Sequence, residues 1–210
     1  GVVLMLLLFV LIAYLLAANA TGIQGGDFFL TVFFNVTSIM TGTGYASADY
    51  GAWGPAAIAF FFVIMFVGGC AGSTSCGIKI FRFQVLFEVI RQHINKMNYP
   101  HGIFVKRFNQ RPITDDVSTA VLSFFFLYFI SFVVLAALLN LTGLDLVTAY
   151  SGAGSAISNV GPGLGDIIGP SGTYKPLNDA AKWLLAIGML VGRLELFTIM
   201  VLLIPRFWRA

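Results

Sequence analysis

The segment that decides the fold reads TGTGY and runs from Thr41 to Tyr45. It follows a short apolar run, 27–40, and precedes a longer apolar run that begins at Pro55. A transmembrane helix needs about 20 apolar residues, so the run at 27–40 is too short to cross a bilayer. A half-length apolar helix that ends in glycines therefore predicts a re-entrant segment, which enters the membrane without crossing it.

The composition is that of a membrane protein. Hydrophobic residues make up 58% of the chain and charged residues only 10%, which lies outside the range of soluble domains. Four long apolar runs predict membrane-spanning helices, and they cover residues 1–18, 55–77, 117–141 and 179–204. The first run has no basic start and no clear cleavage site, which argues against a signal peptide. Because the chain opens inside this run without a methionine, we expect a fragment of a longer protein.

The two halves of the chain share one order of features. Asp27 precedes the short run 27–40 and the glycines of 41–45, and Asp145 precedes a second short run, 145–158, and a second glycine segment, 159–163. Each half begins and ends with a long apolar run, so the pattern predicts an internal repeat of helix, pore helix, loop and helix. We expect an all-α fold with one repeat at 1–77, a connector at 78–113 and a second repeat at 114–210.

Charge predicts the orientation of the repeats. The connector 78–113 carries one acidic residue, Glu88, among seven lysines and arginines, so the positive-inside rule predicts that it is cytoplasmic. The acidic residues near both short runs then lie on the opposite side, and the repeats are parallel rather than inverted. Apolar residues of the connector recur at helical spacing between basic ones, which fits a helix on the membrane surface or a docking surface for a partner.

The glycine segments allow two interpretations. Each could be an ordinary turn that ends a helix at a glycine. Alternatively, the backbone carbonyls of both segments could replace the hydration shell of a cation, with the negative ends of the short helices near Met40 and Ser158 pointing at it. Two such segments in equivalent positions favour the second interpretation.

The sequence contains no pattern typical of an enzyme. Cys70 and Cys76 lie close together without further metal ligands nearby, so two buried free thiols are expected. His93 and His101 lie in the basic connector and are expected to be solvated. We find no catalytic triad order, no zinc-binding helix motif and no phosphate-binding loop. We therefore expect neither enzymatic activity nor an organic cofactor, and no nucleic-acid partner.

Four segments together resemble the Trk/Ktr/HKT superfamily of potassium transporters, and most of all a Trk-type (TrkH-like) pore subunit. These segments are 41–45, 68–79, 158–165 and 192–197. The family builds one pore from four repeats, so the resemblance implies that this chain contains the third and fourth repeats only. It also implies that K⁺ binds to filter carbonyls, with Gly44 and Gly161 at the filter centres. The implied filter residues are Thr41, Gly42, Thr43, Gly44, Tyr45, Asn159, Val160, Gly161 and Pro162.

The resemblance also assigns two features below the filter. A stretch of small residues interrupts the second span and corresponds to an intramembrane gating loop, although the residues alone also fit a helix kink or close helix packing. The implied gate residues are Gly68, Gly69, Ala71, Gly72, Ser73, Thr74, Ser75 and Gly77. Arg193 corresponds to a positive charge that faces the pore, and Glu195 is expected to offset or anchor it; a structural ion pair is the other interpretation.

The resemblance thus implies potassium uptake through a channel-like pore in the bacterial inner membrane, in a multi-pass protein surrounded by lipid. A homodimer and a cytoplasmic nucleotide-binding regulatory subunit are the implied partners. The alternatives are a sodium-permeable member of the same superfamily and an inverted-repeat secondary transporter. The intact glycines at 44 and 161 favour potassium, and the parallel repeats disfavour the second alternative.

Overall fold

The computed structural model describes residues 2–23, 25–70, 72–73, 77–102, 104–108 and 111–193. Within these ranges most residues lie in helices, so the prediction of an all-α fold is confirmed. The helices are α1 (Val2–Thr21), α2 (Gly26–Thr41), α3 (Pro55–Ile64), α4 (Ile80–Asn98), α5 (Asp115–Leu141), α6 (Leu146–Ser158), α7 (Gly165–Ile168) and α8 (Asp179–Arg193). A single turn of 3₁₀ helix at Tyr50–Trp53 precedes α3.

The first half packs α2 against α1 and α3. Val32, Val36 and Ile39 lie on one face of α2 at helical spacing and are fully buried. The loop that returns to α3 is held by aromatic stacking, because the ring of Tyr50 lies 4.2 Å from that of Phe61. This packing fixes where α2 ends, and therefore where the first glycine segment begins.

The second half packs α6 between α5 and α8. Helix α6 is lined with small residues, and Ala149, Ala153 and Ala156 are almost completely buried. Small side chains let helix backbones approach closely, which is how membrane helices commonly associate. At Gly192 of α8 an added Cβ would overlap the carbonyl oxygen of Ile157, so α8 lies directly against the C-terminal end of α6.

The two halves meet through aromatic residues and through the second glycine segment. The ring of Phe66 lies 5.3 Å from that of Phe132, in an edge-to-face arrangement. Val160 and Leu164 are buried in the core cluster of the first half, beside residues of α1, α2 and α3. The loop after α6 is therefore part of the packing of the first repeat as well as of its own.

The connector combines α4 with a short pair of strands, β1 (Arg107–Phe108) and β2 (Arg111–Pro112), which pair antiparallel. Sequence analysis did not predict this pair, because two residues per strand are too few to show an alternating pattern. The Lys106 amine donates to the carboxylate of Asp115 at 2.6 Å and to the Ser118 hydroxyl at 2.9 Å, so the segment before β1 is fixed to the start of α5.

Among the described residues, α5 is the one helix whose length and apolar composition suffice to cross a membrane. The predicted span over 55–77 is helical only over Pro55–Ile64 in the described part of the chain. The predicted span over 179–204 is described as far as Arg193, and its remainder lies outside the described residues. Exposed apolar residues run along α1, where Leu7, Leu11 and Leu15 are each about half exposed.

Candidate functional site: two glycine loops in contact

The first glycine loop begins where α2 ends in a left-handed turn. Gly42 has φ +71° and Gly44 has φ +79°, a backbone conformation that glycine adopts without a steric penalty. The amides of Thr43 and Gly44 both donate to the carbonyl of Ser38, at 2.9 and 3.4 Å, and so complete the end of the helix. The hydroxyls of Thr41 and Thr43 lie 2.8 Å apart.

The second loop leaves α6 in the same way but with asparagine at the turn. Asn159 has φ +51°, and it is the one residue other than glycine with a positive φ in the described part of the chain. Asparagine tolerates this region better than most residues. Its side-chain amide donates to the carbonyl of Met189 in α8 at 2.9 Å. The turn is therefore fixed to a neighbouring helix as well as to α6.

The structure brings the two loops into direct contact. A Cβ added to Gly44 would overlap the carbonyl oxygen of Val160 and would lie 3.2 Å from the Pro162 ring. A Cβ added to Gly161 would lie 3.6 Å from the Cα of Gly44. The two glycines that the family resemblance identifies as filter centres thus lie side by side, although their segments are far apart in sequence.

The outer residues of the first loop border an open cavity. Thr41, Thr43 and Tyr45 line it together with residues of α2, and its volume is about 590 Å³. Tyr45 is 71% exposed, whereas Val160 on the other loop is buried. Among the predicted filter residues, Val160 is therefore buried, Gly44 and Pro162 are half-buried, and Gly161 is exposed, as are the three that line the cavity.

Polar side chains of the short helices form hydrogen bonds to the segments that follow them, and sequence analysis did not single out these side chains. Ser151 and Ser155 lie one turn apart on α6, and each bonds both the amide and the carbonyl of one loop residue. Ser151 bonds Leu164, and Ser155 bonds Gly161. In the first repeat the buried Asn35 donates to the Ser47 hydroxyl and accepts from the Ser47 amide. Two serines at i, i+4 spacing on a short apolar helix lie on one side of it, and this spacing could have predicted the side of α6 that bonds the loop.

Tyr174 reaches the second loop from the segment before α8. Its hydroxyl donates to the carbonyl of Gly161 at 2.6 Å. Burial raises the pKa of the Tyr174 phenol, because an ionised oxygen would be poorly solvated there. Burial also raises the pKa of the Tyr50 phenol, and the nearby Tyr174 and Asp49 raise it further. Both phenols are therefore neutral near pH 7.

The described residues of the stretch predicted as a gate, 68–70, 72–73 and 77, are not helical. Val67 and Ile78 form an isolated parallel bridge at its neck. The Gly68 amide donates to the carbonyl of Ile78, and the Ile80 amide to the carbonyl of Gly69. Gly72 and Gly77 both have positive φ. Ala71, Thr74 and Ser75 belong to the predicted gate and lie outside the described residues, as does Cys76. Cys70 is exposed, so the prediction that this thiol is buried is wrong.

The predicted pore charges lie at the end of the described chain. Arg193 is exposed and directly follows Gly192, which packs against the last turn of α6. Glu195 lies outside the described residues. Across the described ranges, no group of three or more His, Cys, Asp or Glu side chains is arranged to hold a metal ion.

Two short helices that each end in a glycine loop, with the loops in contact, fit a membrane transport protein, in which non-helical backbone borders a wet cavity. The family model described as "Cation transport protein" (TrkH) matches residues 2–209. The chain belongs to the TrkH family of cation transport proteins, so the resemblance stated from its sequence motifs is confirmed. Members of this family are transporters rather than enzymes, as expected from the sequence.

Relatives from several bacteria match nearly the whole chain. The Trk system potassium uptake protein TrkI of Halomonas elongata is 51% identical over 98% of this chain and 42% of its own length. TrkG of Escherichia coli K12 is 36% identical over 87% of this chain and 37% of its own length. The crystal structure of the potassium transporter TrkH from Vibrio parahaemolyticus superposes with a TM-score of 0.89 at 32% identity, covering 99% of this chain and 44% of that protein. The chain thus spans about two fifths of the length of the curated relatives it matches.

Proposed function

We propose that this chain forms part of a potassium uptake pore, in which the two glycine loops line the ion path. The observation that carries this proposal is the contact between Gly44 and the Val160–Pro162 segment. Each loop follows a half-length helix, and backbone without regular structure is tolerated at membrane depth only where protein buries it or where it borders a wet cavity. The relatives that match nearly all of this chain are named potassium uptake proteins.

In this proposal, carbonyls of the loops 41–45 and 159–163 replace part of the hydration shell of K⁺. The C-terminal ends of α2 and α6 add partial negative charge beside the ion. The loop 68–77 acts as the gate below the filter, which its non-helical neck at Val67 and Ile78 supports. Arg193 places a positive charge near the inner end of α6 and limits cation occupancy there.

We further propose that the complete protein is a multi-pass protein of the bacterial inner membrane and that two copies form a homodimer in lipid. A cytoplasmic nucleotide-binding subunit would regulate the pore, with the connector 78–113 as its docking surface. The excess of basic residues in the connector supports its cytoplasmic position. The names of the relatives, which describe a Trk system, support the existence of a partner subunit.

Ion uptake by the full-length protein that contains this chain tests the proposal. The protein would be produced in a bacterial strain that lacks its own potassium uptake, and uptake of potassium, rubidium and sodium would be measured at a known membrane abundance. We expect potassium and rubidium to enter well above the empty-vector level and sodium to enter poorly. Equal sodium uptake would support the sodium-permeable alternative, and no uptake of any of the three ions would refute the proposal.

A further inference from the structure

A buried pair of hydroxyl groups joins the C-terminal end of α6 to α5. The hydroxyls of Tyr128 and Ser158 lie 2.7 Å apart, and the two residues are only 5% and 1% exposed. Ser158 is the last residue of α6 and directly precedes the loop 159–163. The bond therefore fixes the point at which this loop begins, and it does so from a helix that contributes no residue to the loop.

Aromatic packing holds Tyr128 itself in place. Its ring lies 6.3 Å from that of Phe66, edge to face, and 5.7 Å from that of Phe124. The guanidinium of Arg82, in the first turn of α4, lies 3.7 Å from the centre of the Phe124 ring, a cation–π contact. Because groups from three segments surround the Tyr128 ring, its hydroxyl has a fixed position from which it can hold Ser158.

The equivalent hydroxyl of the first repeat faces the open cavity instead. Thr41 precedes Gly44 by three residues, as Ser158 precedes Gly161. Thr41 is exposed and lines the cavity beside α2. In the described part of the chain, its hydroxyl bonds only within its own segment, 37–43. A side-chain bond from another helix to the residue that ends the short helix is thus seen in the second repeat and not in the first.

We propose that Tyr128 is a positioning residue of the ion site. Through Ser158 it fixes the start of the loop 159–163, and it thereby determines how well the pore discriminates potassium from sodium. The inference rests on the proposed function, in which carbonyls of this loop coordinate the ion. The number and arrangement of carbonyl oxygens around an ion decide between the two cations. A loop that could shift at its start would let its carbonyls approach the smaller sodium ion, and discrimination would fall.

Two variants of the full-length protein test this inference. Tyr128→Phe removes the phenol oxygen and keeps the packed ring, and Ser158→Ala removes the other half of the bond. We expect each to lower the ratio of potassium to sodium uptake by roughly three- to tenfold, the size expected for losing one ordinary hydrogen bond. Both uptakes are measured in the same cells, so the ratio does not depend on protein abundance, and a loss of folded protein alone would leave it unchanged.

The double variant separates the bond from other effects of the two side chains. Because Tyr128→Phe and Ser158→Ala remove the same hydrogen bond, we expect the double variant to lower the ratio no further than either single variant does. Effects of the two substitutions that multiply would mean that the side chains act independently, and this result would overturn the inference.

The chain offers a matched control for each variant. Tyr150→Phe removes a phenol from a ring that is 46% exposed and packs edge-on against Phe132. Ser118→Ala removes a buried hydroxyl that accepts from Lys106, on α5 but about 15 Å along the helix from Tyr128. We expect both controls to keep the wild-type ratio. A lower ratio in either control would mean that any lost hydroxyl reduces discrimination, which would contradict a specific role of Tyr128.

The outcomes separate this inference from the proposed function. A wild-type protein that takes up potassium selectively, together with an unchanged ratio in Tyr128→Phe, would overturn the inference alone. A wild-type protein that takes up no cation would overturn both. One that takes up sodium as readily as potassium would overturn the inference and support the sodium-permeable alternative. Should Ser158→Ala fail to reach the membrane, Tyr128→Phe decides the matter by itself, since it removes a single oxygen and keeps the ring.

Discussion

At Gly44 two independent constraints act on one residue. Its φ of +79° strains any L-amino acid with a side chain, and a Cβ would overlap the carbonyl oxygen of Val160. We expect Gly44→Ala to reduce potassium uptake at least tenfold at unchanged membrane abundance, because the two loops could no longer approach each other. Isotope uptake in cells measures this effect.

Gly26→Ala is the control for Gly44→Ala. Gly26 begins α2, has no positive φ, and has open space where a Cβ would point. Wild-type uptake in Gly26→Ala, beside a loss in Gly44→Ala, would show that the effect belongs to the contact between the loops. Full uptake in Gly44→Ala would contradict the placement of this residue at the ion path.

Asn35 illustrates how a buried polar side chain holds the first loop. Its amide donates to the Thr31 carbonyl at 2.8 Å and to the Ser47 hydroxyl at 3.0 Å, and its oxygen accepts from the Ser47 amide. Because Asn35 is fully buried, Asn35→Ala would remove these hydrogen bonds at a site that water does not reach. We therefore expect a loss of about 1–3 kcal/mol in the free energy of unfolding. Thermal denaturation of the purified protein in detergent measures this loss.

Asn140→Ala is the matched substitution for Asn35→Ala. Asn140 is exposed, and its side-chain amide donates to the carbonyl of Leu144 at 3.2 Å. Water can replace that bond, so we expect a much smaller shift in the melting temperature. Equal shifts in the two variants would mean that the hydrogen bonds of the buried Asn35 stabilise the protein no more than an exposed one does.

At the scale of elements, α6 depends on Asp145 for its N-terminus. The Asp145 carboxylate accepts from the amide of Thr148 at 3.1 Å, and hydrogen bonds to Thr148 lower the pKa of Asp145 below its usual value. Because the pKa of Asp145 is lower in the folded state, its ionised carboxylate stabilises the folded protein at pH values above the usual Asp pKa. This stabilisation is lost as the pH falls through the lowered pKa. We expect Asp145→Ala to cost about 1 kcal/mol near neutral pH and less in acid.

Asp145→Asn separates capping from charge. Asparagine caps helices about as well as aspartate but does not titrate in acid. We therefore expect Asp145→Asn to keep most of the wild-type melting temperature near pH 7 and to show a smaller decrease than wild type in acid. The same pH dependence in both proteins would assign the acid sensitivity to other carboxylates.

In the connector, we expect two neighbouring basic residues to have different roles, one structural and one in binding a partner. Lys106 is 9% exposed and bonded to Asp115 and Ser118, whereas the neighbouring Arg107 is exposed. We expect Lys106→Met to loosen the connector from α5 and to speed proteolysis of residues 104–114. Arg107→Met should leave proteolysis unchanged but weaken binding of the proposed regulatory subunit. Faster proteolysis in Arg107→Met, with unchanged proteolysis in Lys106→Met, would contradict these two roles.

At the scale of the whole molecule, a feature can be predicted from the sequence when neighbouring residues determine it, and not when it depends on contacts between distant segments. The short helix before Thr41 and the glycine turn at Gly42 leave a pattern within a few residues, so both can be inferred without a structure. The bond from Tyr174 to Gly161 and the pair of Lys106 with Asp115 leave no such pattern. Their geometry depends on how α5, α6 and the loop before α8 pack, and sequence spacing alone does not specify that packing.

The parallel arrangement of the repeats, predicted from the charges of the sequence, can be tested in the complete protein. If both glycine loops are entered from outside, Asp49 and Asp166, which follow the first and second loop, lie on the outer face. In a full-length protein without native cysteines, Asp49→Cys and Asp166→Cys should both react with a membrane-impermeant thiol reagent in intact cells. Lys96→Cys, in the basic connector, should react only after the cells are permeabilised, and it serves as the inside control. Labelling of residues 49 and 166 from opposite faces would mean inverted repeats, and the two loops could not then line one path from the same side.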